Sequence, residues 1–148
     1  MEQEKYILLK LSETVVYEFF SEGPKGRIRK LVRFLLLEEF PDRTYNIGFG
    51  DWKMYRDDFD DKAISNNADS QKVLHTVAAA ILDFARKHPD AWIYAEGSTP
   101  SRTRLYQISI NRFWKEIVPQ FIVFGLLADE WLPFKKGINY DAFLIRPK

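Results

Sequence analysis

Cysteine is absent from this 148-residue chain. That removes disulfide bridges, thiolate nucleophiles and iron–sulfur ligation together, and it fits a reducing cytoplasm. Histidine is nearly absent, with only His75 and His88, and these two do not form a two-histidine metal motif. The first residues, MEQEKYILLK, lack the basic lead and long apolar stretch of a secretory signal. The longest apolar runs, near Leu31–Leu37 and Phe121–Ala128, are too short to cross a bilayer as helices. Charge of one sign is also lacking. The formal net charge is +1, which excludes a protein held on DNA by bulk electrostatics but leaves room for a local basic pocket. No serine-centred nucleophile elbow, P-loop or EF-hand loop is present. The expectation is a cytoplasmic chain with no cofactor, no resident metal and no membrane association.

What the chain has in quantity is aromatic residues: twelve Phe, seven Tyr and four Trp, 16% of the sequence. Aromatic side chains carry large buried areas, so a real core is expected, and they also favour interfaces, which keeps a homodimer or protein partner in view. The length is that of one ordinary domain. With no internal repeat and no long linker, residues 1–148 read as a single domain.

The first half reads as strands. Thr14–Phe20 is rich in β-branched and aromatic residues, Gly23-Pro24-Lys25-Gly26 makes a turn, and Arg27–Leu37 returns as a second strand. Ile28, Val32, Phe34 and Leu36 share one face of that strand; Arg27, Arg29, Leu31, Arg33 and Leu35 share the other. Tyr45–Tyr55 is a third strand, with Tyr45, Ile47 and Phe49 on one side and Gly48 and Gly50 marking a bulge or a close backbone approach. Arg56–Asn67 is a polar loop. A helix over Ser70–Lys87 carries Val73, Leu74, Val77, Ala78, Ile81, Leu82 and Ala85 at helical spacing, and Pro89 ends it. A short strand, Ala91–Ala95, leads to a second helix capped by Thr99, with Pro100 at its first position, running to about Ile117 with Leu105, Ile108, Phe113 and Ile117 buried. Phe121–Leu127 and Tyr140–Ile145 are the last strands, joined by a loop holding Trp131, Pro133 and Lys135–Gly137. The order β-β-β-α-β-α-β-β predicts an α+β fold: a mixed, mostly antiparallel sheet with two main helices packed on it. The ribonuclease-H-like fold and the core of GNAT acyltransferases share this order approximately, an analogy of fold alone.

The most informative segment is the Gly97-Ser98-Thr99-Pro100 corner, where a strand stops and a helix opens with Arg102 and Arg104 in its first turns. Helix starts favour acids, because unpaired N–H groups point there; cations at such a place mark a site that an anion or acidic partner completes. Ser98, Thr99, Arg102 and Tyr106 form the candidate anion site. Arg102 would supply a bidentate fork, Thr99 the cap and Tyr106 a packing or stacking surface. The plainer reading is an ordinary capped helix whose arginine pairs with Glu96.

Other constellations carry less. Glu18, Asp83 and Glu96 fall in elements where a ribonuclease-H-like nuclease gathers metal-binding carboxylates, but the first strand lacks that family's aspartate. An acyltransferase of the GNAT kind carries glycines that wrap pyrophosphate before the first long helix, where this chain has Asn66-Asn67-Ala68-Asp69-Ser70-Gln71. Lys25, Arg27, Arg29, Lys30 and Arg33 make a basic hairpin. With Tyr17 and Trp52 it could contact nucleic acid by phosphate contact and stacking, with Lys25, Arg27, Arg29 and Arg33 as the contact residues. Alternatively the acidic run Asp57, Asp58, Asp60 and Asp61 covers it as a clamp, or completes a protein interface.

Through Tyr17-Glu18-Phe19, the block YNIGFGDW from Tyr45 to Trp52 and above all GSTPSRTRLY from Gly97 to Tyr106, the chain resembles a family of small bacterial proteins, found mainly in Bacteroidetes, built on a domain of unknown function. The resemblance spans nearly the whole chain. It implies no catalytic residues, and it points to small toxin–antitoxin or defence modules as a setting. The leading expectation is a cytoplasmic domain that binds a phosphate-containing ligand or nucleic acid. The alternatives are a protein–protein interaction module and a ribonuclease-H-like or acyltransferase-like enzyme.

Overall fold

A computed structural model describes residues 14–53, 58–60, 70–97 and 99–148, with the backbone alone described at 51–53, 58–60 and 70–71. The strands are β1 (Thr14–Gly23), β2 (Gly26–Leu37), β3 (Thr44–Lys53), β4 (Asp58–Asp60), β5 (Trp92–Ala95), β6 (Phe121–Leu127), β7 (Glu130–Pro133) and β8 (Ala142–Pro147); the helices are α1 (Ser70–Lys87), α2 (Pro100–Arg112) and α3 (Trp114–Ile117). They build the expected α+β fold. One sheet runs β1-β2-β3-β5-β8-β6-β7, with β4 on β3. β3 and β5 are parallel and the other described pairs antiparallel. A parallel neighbour requires a crossover, which α1 supplies.

Side chains of a strand alternate between faces, so the register assigns them. Val32, Phe34, Tyr45, Ile47, Ile93, Ile145 and Val123 lie on the helix-covered face and form the core with Val77, Ala80, Phe84 and Ala85 of α1 and Ile110 of α2. Phe84, fully buried, stacks on Phe34 with ring centres 4.0 Å apart, stands edge-on to Tyr45 and carries His88 on its other side at 4.3 Å. Of the apolar side of α1 given by the sequence pattern, Val77 and Ala85 are buried and Val73, Leu74, Ala78, Ile81 and Leu82 only partly so; the centre of packing is Phe84, which the pattern leaves out. The opposite face of the sheet carries no described helix. Val16, Phe20 and Leu35 are 49%, 42% and 39% exposed there, beside Phe40, Trp92, Tyr94, Phe124 and Trp131.

Several local expectations are corrected. Gly48 and Gly50 make no bulge, since β2–β3 pairing runs unbroken from Lys30↔Asp51 to Leu37↔Thr44. The segment after β6 holds a further hairpin strand, β7, reached through a turn with positive φ at Ala128 (52°) and Asp129 (64°). Tight hairpin turns of this hand usually announce themselves as Asn-Gly or Asp-Gly, and this one does not. The second helix breaks at Phe113, between α2 and α3. Its buried residues in α2 are Arg102, Thr103, Gln107 and Ile110, while Ile108 is exposed. Polar side chains are buried because the surface beneath them is irregular backbone that needs partners. Gln107 donates to the Ile138 carbonyl and accepts from the Tyr140 N–H at 3.1 Å, and the Gly97 N–H donates to Thr103 Oγ1 at 3.0 Å.

Candidate functional site

The sheet has a gap. β5 pairs with β3 only over Thr44–Asn46, and β4 pairs with β3 over Asp51–Lys53. Asp51 already faces Lys30 of β2, so β4 lies on the other edge of β3, the edge that β5 uses. Between them Ile47, Gly48, Phe49 and Gly50 have no strand neighbour on that side among the described residues. An open strand edge leaves carbonyls that need donors. α2 provides them: Arg102 Nη1 donates to the Phe49 carbonyl at 3.1 Å, and one turn later the Tyr106 hydroxyl approaches the Ile47 carbonyl at 3.4 Å. The two carbonyls are alternate residues and so point the same way.

The corner that places Arg102 folds as its residue types dictate. Thr99 is extended (φ −138°, ψ 160°), and its Oγ1 accepts from the Arg102 N–H at 3.2 Å, with Pro100 opening the helix. Gly97 is required because a β-carbon there would run into Arg102 Cβ and the Thr103 backbone nitrogen. Arg102 is only 6% exposed. Its guanidinium, Tyr106, Arg33, Asn46, Gly48, Glu96 and Gly97 surround a cleft of about 70 Å³. By strand alternation Arg33, Asn46 and Gly48 lie on the helix-free face, whereas Ile47 lies on the other, so the cleft passes through the sheet at the gap. Its mouth is cationic at Arg33 and anionic at Glu96, whose carboxylate accepts from the Tyr94 hydroxyl at 2.6 Å. Partial burial, and then that bond, push the Tyr94 phenol well above its ordinary value.

Of the four residues expected at the anion site, the fold brings Thr99, Arg102 and Tyr106 together, and Ser98 lies outside the described residues. Thr99 is the cap, Arg102 and Tyr106 line the cleft, and both also hold the edge of β3. The residues that sequence reasoning missed are Asn46 and Arg33 as neighbours of that corner. The glycines of β3 were the available signal, and they mark a gap in the sheet.

The basic hairpin is a different place. Arg29 pairs with Glu18 across the strands, its Nε 2.9 Å from Glu18 Oε2, and Arg27 lies 3.8 Å from Glu22 with its guanidinium 4.0 Å above the Phe20 ring. Lys25 is exposed in the turn, and Arg33 belongs to the gap. Tyr17 does not join this patch. It is on the helix-covered face, donating to Asp83 at 2.7 Å and edge-on to Phe34. The Trp52 side chain, Asp57 and Asp61 lie outside the described residues, as do the side chains of Asp58 and Asp60. His75 is exposed, edge-on to Phe113, and His88 has Nδ1 3.1 Å from the Phe84 carbonyl. Glu18, Asp83 and Glu96 do not converge. Glu18 is on the helix-free face of edge strand β1, Asp83 is on α1, and Glu96 lies beyond β5, about 14 Å from β1 by strand spacing. Among the described residues no three His, Asp or Glu side chains cluster as metal ligands, and no helix is long and apolar enough to cross a membrane.

A model of one protein family matches residues 2–148, nearly the whole chain. The chain belongs to DUF6934, a family of unknown function. No curated protein and no solved structure matches it. For this DUF6934 chain the geometry of the gap therefore carries the functional argument.

Proposed function

We propose that the chain binds a small ligand through an anionic group, phosphate or carboxylate, seated in the sheet gap between the start of α2 and β3. The observation that supports this most is the position of Arg102: a guanidinium held almost wholly out of water, on the rim of a cleft, in the first turn of a helix. A guanidinium on the rim of a cleft offers an anion charge-assisted hydrogen bonds. The recessed cleft fits a phosphomonoester better than a polynucleotide backbone. The setting is a cytoplasmic one, within the small bacterial defence or toxin–antitoxin modules to which the resemblance points. One other reading has a supporting feature: the exposed Val16, Phe20 and Leu35 suit an interaction module.

The test is an amide NMR titration with inorganic phosphate and with a short single-stranded oligonucleotide. Phosphate is expected to shift Gly97, Thr103 and Gly48, and Arg33→Gln to weaken that response several-fold. A response confined to the oligonucleotide and to Lys25, Arg27 and Arg29 would transfer the function to the hairpin. Silence at the corner would remove the proposal.

A further inference from the structure

Behind the gap lies a second hollow. Between α1 and α2, on the helix-covered face, is a cavity of about 350 Å³. It is partly open, with the exposed His75, Ala79 and Glu116 on its lining, and its volume falls at the small end of ligand pockets. Ile47, Leu74, Val77, Tyr106 and Ser109 line both hollows, so the cleft and the cavity adjoin through a common wall. The rest of the cavity is almost entirely apolar, with Ile81, Ile93, Ile110 and Ile145 facing it. Of its few polar residues, Ser109 already donates to the Leu105 carbonyl within its own helix.

This also accounts for the breadth of the apolar side of α1. Phe84 and Ala85 fill the core, whereas Leu74, Ala78 and Ile81 are spent on the cavity wall. A charged or strongly polar body would lose hydration there with little to replace it, while each methylene group gains by burial. The two hollows therefore ask for opposite chemistries, joined in one molecule.

We infer that the ligand is an amphiphile: its hydrocarbon chain lies in the cavity between α1 and α2, and its anionic head lies at Arg33 and Arg102. This rests on the anion reading of the gap and adds the class of molecule.

Titration calorimetry on the full chain, below micelle-forming concentrations, tests it with inorganic phosphate, butyl, hexyl and octyl phosphate, octanoate and octanol. Affinity is expected to rise roughly two- to fourfold per methylene along the alkyl phosphates, and octanol to bind at least tenfold more weakly than octyl phosphate. Comparing octyl phosphate with octanoate tells a phosphate head from a carboxylate head. Ala78→Phe, which puts a ring into the cavity, is expected to abolish the chain-length dependence and leave inorganic phosphate binding unchanged. Should that variant fail to fold, the chain-length series on the unaltered protein decides alone. If phosphate binds but added methylenes bring no gain, the amphiphile is overturned and the anion site stands. If octanol equals octyl phosphate, the head-group assignment is overturned. If none binds, both readings fall.

Discussion

The guanidinium of Arg102 donates to the carbonyl of Phe49, a residue 53 positions earlier in the chain, and so joins the start of α2 to a strand edge that β5 has left. The bond makes one side chain both a structural strut and a lining group of the cleft. A surface arginine at a helix start would have neither property.

Replacing Arg102 separates these roles. Arg102→Met keeps the volume and removes the donor, leaving the Phe49 carbonyl at an open edge. A hydrogen bond to a charged group contributes about 1.5–3 kcal/mol, so a loss of about 2 kcal/mol is expected in urea unfolding. Arg102→Lys is expected to recover only part of it, because an ammonium lacks the planar fork. Equal stability of all three proteins would show that the strut contributes nothing.

Gly97→Ala should be costly for a reason that does not involve φ. The added carbon meets Arg102 Cβ and backbone at Thr103, neither of which can swing away. Overpacking of this kind costs about 1–3 kcal/mol. Gly26→Ala is the control: it has open space and a φ of +88°, so it should show only backbone strain of about 1 kcal/mol. Chemical denaturation of the two variants checks the order.

The β6–β7 turn offers a gain. Ala128 and Asp129 both hold positive φ, at 52° and 64°. Asn-Gly adopts that geometry readily. The double variant Ala128→Asn/Asp129→Gly is expected to stabilise by about 1 kcal/mol, roughly 3 °C in the melting temperature. An unchanged or lower melting point would show that this turn is not a source of strain.

Acid should act through Asp83. The Tyr17 hydroxyl, and then Lys87, hold its carboxylate below the ordinary range, while burial and the same bond push the Tyr17 phenol well above its own. A carboxylate with a depressed folded pKa stabilises the fold above its unfolded pKa and loses that contribution as pH falls through the folded value. In Tyr17→Phe the Asp83 carboxyl should titrate at higher pH by carbon-detected NMR. The stability difference between the two proteins should shrink as the solution is acidified. An unshifted Asp83 titration would contradict the assignment.

Much of this architecture was legible beforehand. Alternation put Tyr45, Ile47 and Phe49 on one face, the Thr99-Pro100 pair opened α2, and Pro89 closed the helix before it. β7 was not legible, because Ala-Asp carries no turn signal. Nor was Phe84 at the centre of packing, because α1 has apolar residues over an arc wider than one core contact uses.

Local interactions determine what a short window of residues can record: strand alternation, helix caps, and the clash that keeps Gly97 a glycine. The meeting of Arg102 with Phe49, the closeness of Arg33 to the α2 corner, and the hollow between α1 and α2 were settled only when distant segments packed. No periodicity encodes where one strand stops pairing with its neighbour, because that depends on which donors the rest of the chain brings to the abandoned edge.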